Sequence, residues 1–101
     1  MDARQLMNAS RLIARNNLTD KVLAVRIGWN DDTSRLTVAY YVDGLPSDDE
    51  QELCELTMGE LLAEFPDIAQ ADTQCLDYAG RQADLRRMEG LAYLREDKPR
   101  A

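Results

Sequence analysis

RIGWNDDTSRLTVAYYVDG, residues 26–44, is two alternating runs joined by a polar turn. Upstream the alternation begins near residue 21, so a first strand is expected over 21–29, with Leu23, Val25, Ile27 and Trp29 on one face. Its other face carries Val22, Ala24 and Arg26 and is only partly polar. Asn30, Asp31, Asp32, Thr33 and Ser34 have turn chemistry, because short amide and carboxylate side chains bond the local backbone and tolerate positive φ. A second strand is expected over 35–42. Leu36, Val38, Tyr40 and Val42 take one face, and Thr37, Ala39 and Tyr41 the other. The stretch is therefore a hairpin with a longer loop.

The flanks read outward from this hairpin. Residues 2–16 have Leu6, Ala9, Leu12 and Ile13 at helical spacing, with Asp2 as a candidate cap and Arg15 at the negative end. After the hairpin, Ser47-Asp48-Asp49-Glu50 is a capping box that opens a helix running to Phe65, where Pro66 stops it. Cys54, Met58, Leu61 and Phe65 form its apolar stripe, widened by Leu53 and Leu62. Gly59 lies mid-helix, where a missing side chain permits close approach to a neighbour. A third strand is expected over 68–78, a polar, basic loop with room for a helical turn over 79–88, a short last strand over 91–95, and a frayed tail from Glu96 to Ala101. The order α-β-β-α-β-β predicts one α+β domain over residues 1–101. Its four-stranded sheet is expected to be mostly antiparallel, with helices packed on one face and the other face partly wet around Arg26, Thr37 and Tyr41.

The charge is distributed unevenly. No Lys or Arg occurs between Arg35 and Arg81, and eleven carboxylates fall in that interval. All 12 basic residues lie in the rest of the chain, so the net −7 belongs to one contiguous half. Crowded carboxylates destabilise a compact chain by self-repulsion, so the segment is a candidate docking face for something cationic. A solubilising helix face is the plain alternative. The overall acidity repels nucleic acid, and Arg81, Arg86 and Arg87 form too small a basic patch to reverse that. No apolar run is long enough to span a membrane. The opening Met1-Asp2-Ala3-Arg4-Gln5 lacks the pattern of a secretion signal, so the expected location is cytoplasmic.

Chemistry is restricted by what is missing. The chain contains no His, which removes the commonest general acid–base group and the commonest transition-metal ligand. Its five Gly residues are isolated, so no phosphate-cradling loop is present. No enzyme activity, cofactor or metal is expected. Asp31 and Asp32 lack the spacing of a calcium loop. The pairs Glu52 with Glu55 and Glu60 with Glu64 follow no acid–base motif and read as a solvated face. Cys54 and Cys75 read as small buried apolar residues of a reducing compartment, a disulfide being the alternative. Tyr41 and Tyr78 are expected to project among the acids, where Tyr would anchor a basic protein partner.

Taken together, the hairpin of residues 26–44, the acidic capped helix SDDEQELCELTMGELLAEFP of 47–66, the strand end CLDY of 75–78 and the closing RRMEGLAYLRED of 86–97 resemble small immunity proteins of bacterial polymorphic-toxin systems, such as contact-dependent growth inhibition. That resemblance implies a cytoplasmic protein that neutralises a cognate toxin domain, often a nuclease, by covering a basic cleft with an acidic surface. The candidate toxin-binding residues are Asp31, Asp32, Tyr41, Asp43, Asp48, Asp49, Glu52, Glu55 and Glu60. The expected partner is a basic toxin domain, with no direct nucleic acid and no membrane; the protein itself would be a monomer or a homodimer. The rival reading is a structural or adaptor domain that pairs with its own copy through an exposed sheet face or edge strand.

Overall fold

A computed structural model describes residues 2–95; the expected tail from Glu96 onward lies outside the described residues. The elements are α1 (Ala3–Arg15), β1 (Val22–Asn30), β2 (Arg35–Val42), α2 (Asp48–Glu64), β3 (Gln70–Asp77), α3 (Gln82–Leu85) and β4 (Leu91–Leu94). They form an α+β domain around one four-stranded sheet of order β3-β2-β1-β4. Asp2 caps α1 by accepting the N–H of Arg4 at 2.9 Å. At the start of α2 the Glu50 carboxylate accepts both the N–H (3.1 Å) and the hydroxyl (2.7 Å) of Ser47, closing the capping box.

The sheet is mixed. β1 pairs antiparallel with β2 and β4, whereas β3 runs parallel to β2. Two of the three pairings are antiparallel, as expected, and helix length explains the one parallel pair. Seventeen residues of α2 rise about 25 Å, close to the roughly 26 Å covered by eight strand residues. The helix thus returns the chain to the start of β2, and the next strand has to run alongside it.

α1 and α2 cover one sheet face. The core beneath them contains Leu6, Val25, Ile27, Leu36, Val38, Tyr40, Met58 and Leu61, with Phe65 packed against it. Leu23 does not join them. A β-bulge between Val22 and Ala24 shifts the register, so Val22 enters this core and Leu23 points to the opposite face.

That opposite face is not left wet throughout. β3 and β4 lie on opposite edges, so residues 78–90 have to cross the sheet between them. The crossing carries α3, and Leu85 caps a second cluster of Leu23, Ala24, Ala39 and Tyr41. Tyr41 is therefore 2% exposed, which corrects its expected position on the surface. The segment expected to be a polar loop contains Leu85 and Met88, and both pack in this cluster with Leu91 three residues further on. Gly90 closes the crossing with φ +77°, and a Cβ there would lie 2.6 Å from the carbonyl oxygen of Ile27. Gly59 has a different role from the one expected: nothing lies within 4 Å of the position of its missing Cβ.

Candidate functional site: an acidic helix face beside a free strand edge

The stripe of Glu50, Cys54, Thr57, Met58 and Leu61 buries one side of α2. Helical geometry then turns Asp48, Glu52 and Glu55 outward together, and all three are exposed. On one flank, Asp49, Glu52, Leu53 and Leu56 line a shallow cleft with Thr19. Leu56 is 49% exposed there, an apolar spot rimmed by carboxylates. On the other flank, Gln51, Cys54 and Glu55 face Thr73, Gln74 and Cys75 of β3 across a cleft of about 250 Å³.

The outward acids of α2 have no ion-pair partner among the described residues. The ion pairs among those residues are Lys21 with Glu50 and Arg35 with Asp72. Arg81 stacks over the Tyr78 ring, 3.9 Å from its centre, and Tyr78 meets Tyr41 edge-on with ring centres 4.6 Å apart. Arg26 donates its Nε–H to the Tyr41 hydroxyl at 3.0 Å. These arginines belong to the α3 side of the sheet. The sheet itself thus separates the acidic face from the Arg26–Arg81 group.

Two polar networks hold α2 in place; the sequence reading reached only the Ser47–Glu50 capping box of the first and missed the second. Glu50 is 2% exposed, so it is not part of the surface. Its second oxygen accepts from Thr19 at 3.3 Å, and Lys21 lies 3.6 Å away. The Ser47 hydroxyl bond holds its carboxyl below the ordinary range; burial opposes this, and Lys21 and Thr19 assist it. The second network is a closed ring. Tyr40 donates its hydroxyl proton to the Asn17 carbonyl (2.9 Å), Asn17 Nδ2 donates to Thr57 Oγ1 (3.2 Å), and Thr57 meets the Tyr40 oxygen at 2.6 Å. Since the Tyr40 proton is committed to Asn17, Thr57 is the donor in the last bond. Burial pushes the Tyr40 phenol up to about 12.

The candidate residues do not form one patch. Asp43, Asp48 and Asp49 lie at the end of the sheet where β1 begins and β2 ends. Asp31 and Asp32 lie at the hairpin tip, the length of β2 away, about 25 Å by strand rise. The Asp31 carboxylate accepts from Trp29 Nε1 at 3.1 Å, and the Asn30 side chain accepts the N–H groups of Asp32 and Thr33, the bonds of a turn. Glu60 faces α1 and accepts from Asn17 at 3.1 Å. Asp48, Asp49, Glu52 and Glu55 remain as a continuous acidic lane. Cys54 and Cys75 are free thiols, and burial pushes the Cys54 thiol up to about 12, which makes it inert at neutral pH.

A protein-family model described as MafI2 immunity protein matches residues 13–97. The chain belongs to this family. The match begins within α1 and runs through β4, so it takes in the whole sheet, the Leu85 cluster, the acidic lane and all of the first cluster that lies beyond the first turns of α1. No curated protein matches the chain. An immunity protein neutralises a toxin by binding it, so the immunity protein described here needs a surface with spare binding capacity. No described helix is long and apolar enough to cross a membrane.

Proposed function

We propose that this immunity protein neutralises a basic, nuclease-type toxin domain in the cytoplasm by laying the acidic lane of α2 over the toxin's nucleic-acid-binding cleft. The carboxylates of Asp48, Asp49, Glu52 and Glu55 take the places of phosphates, and the bulk of the domain excludes the substrate. The protein contributes no catalysis; it acts by occupancy. The observation that carries this reading is the lane itself: four exposed carboxylates on one helix, with no ion pair to a described residue, while Arg26 and Arg81 engage tyrosines on the other side of the sheet. Such a field speeds encounter with a cationic partner and rejects anionic ones.

Two double variants of equal net charge test it. Glu52→Lys with Glu55→Lys reverses the lane. Asp84→Lys with Glu89→Lys makes the same charge change on exposed residues in the segment that crosses the other face. A like-charge contact across an interface costs several kcal/mol, so the first pair should weaken toxin binding by roughly 100-fold or more and abolish protection of toxin-expressing cells. The second pair should keep both. Circular dichroism checks that each variant is folded. Equal losses from the two pairs would show that only net charge matters; no loss from either would place the interface elsewhere.

A further inference from the structure

We propose that the outer edge of β3 is a strand-docking site that takes an extended, basic segment of the toxin as a fifth strand of the sheet. This rests on the toxin-binding reading above and adds to it the backbone of β3.

β3 is an edge strand of eight residues, paired without a register shift along its whole length to β2. Gln70 donates its N–H to Ser34, and Tyr78 donates its N–H to Val42, both toward β2. Strand alternation then turns the N–H groups of Ala71, Thr73, Cys75 and Asp77 away from β2, toward the open edge. Natural edge strands are usually blunted by Lys, Pro, a bulge or a short length. β3 has no Lys, Pro or bulge and is not short. The opposite edge differs: β4 has four residues, half the length of β3. An open row of donors and acceptors of this length is the template used in recognition by strand addition.

The surroundings select the occupant. The cleft between α2 and β3 gives side chains of an added strand a place beside Gln51 and Glu55. Arg35 answers Asp72, but Glu55 and Asp77 have no ion pair among the described residues. A second copy of this chain paired antiparallel about the middle of β3 would bring Glu55, which lies beside Thr73, Gln74 and Cys75, toward its duplicate, and β3 itself carries no Lys or Arg to compensate. Like charges directly opposite destabilise a strand pair. A foreign strand bearing Lys or Arg meets the same carboxylates as counter-charges, and the acidic lane continues across α2 from the same cleft.

The test is amide hydrogen exchange by NMR on the full chain, alone and saturated with a catalytically disabled toxin domain whose growth inhibition this protein relieves on co-expression. Strand addition should slow exchange at Ala71, Thr73, Cys75 and Asp77 by roughly tenfold or more, while Asp72 and Gln74, already bonded to β2, change little. Thr73→Pro removes one outward donor without removing a bond to β2, a position where Pro is tolerated; it should weaken toxin binding by roughly tenfold or more. Toxin binding without the alternating protection, or with full affinity in a folded Thr73→Pro variant, overturns the edge proposal and leaves docking by α2 standing. Alternating protection that appears with rising protein concentration and no toxin overturns it in favour of a second copy. Failure of the wild-type chain to bind the toxin overturns the toxin-binding reading and the edge proposal together. The exchange pattern needs no variant, so a Thr73→Pro chain that fails to fold leaves the test intact.

Discussion

Replacing Tyr40 with Phe deletes one oxygen from the ring that locks α2 against β2 and the end of α1. Tyr40 and Thr57 are fully buried and Asn17 is 5% exposed. The deletion leaves the Asn17 carbonyl without its donor and the Thr57 hydroxyl without its acceptor. An orphaned buried group costs about 1–3 kcal/mol. Asn17 recovers part of that from water, so about 3 kcal/mol is expected for the pair, a large share of the ~5–15 kcal/mol stability of a small domain. Thr57→Val is milder, about 1 kcal/mol, because the Asn17 amide keeps Glu60 and the Tyr40 hydroxyl keeps the Asn17 carbonyl. In the double variant the orphaned Thr57 hydroxyl no longer exists, so the combined loss should fall short of the sum by about 1 kcal/mol or more. Urea unfolding followed by Trp29 fluorescence and circular dichroism measures all four corners of the cycle. Additive losses, within about 0.5 kcal/mol, or a Tyr40→Phe chain as stable as wild type, would refute the ring and the donor assignment in it.

Glu50→Gln should lower stability at neutral pH by about 1–2 kcal/mol. The wild-type carboxyl is held below its ordinary pKa, so its contribution is full above the unfolded value and disappears as pH falls through the folded one; the gap between wild type and variant should close in acid, and a constant gap would refute the assignment. Gly59→Ala should stabilise by about 0.5–1 kcal/mol, since the site is helical with open space around it, whereas Gly90→Ala should destabilise through strain at positive φ and the contact with the Ile27 carbonyl; thermal melts separate the two. Tyr41→Ala should cost about 3–5 kcal/mol while a folded fraction at low temperature binds toxin normally; a stable variant with impaired binding would restore Tyr41 to the surface.

Much of this protein is local, and local features were legible. The Asp2 cap, the Ser47–Glu50 capping box, the Pro66 stop and the alternation of Leu36, Val38, Tyr40 and Val42 depend on residues within one turn or one strand of each other. The acidic lane was legible for the same reason: Asp48, Glu52 and Glu55 share a face once the helix is placed. Alternation counts residues, however, and a bulge adds one. Leu23 therefore changed faces at a bulge that no composition rule marks. Tyr41 alternated onto the side expected to be wet, and whether that side is wet depends on what crosses it. That was decided by β3 and β4 taking opposite edges, which sends Leu85 over the sheet. The spacing of Leu85, Met88 and Leu91 was visible, but its partner face was not. Which carboxylates are free was also a tertiary matter. Glu50 sits in the same acidic run as Glu52, yet one is buried against Ser47, Thr19 and Lys21 and the other faces solvent, because the helix axis turns successive residues by about 100° and only packing says which direction is inside. The sequence by itself determined the elements, their amphipathic stripes and the charge of the middle segment. The strand order, the mixed sheet and the open edge of β3 came from long-range closure, in which the length of α2 and the route from β3 to β4 leave one arrangement that buries both apolar faces.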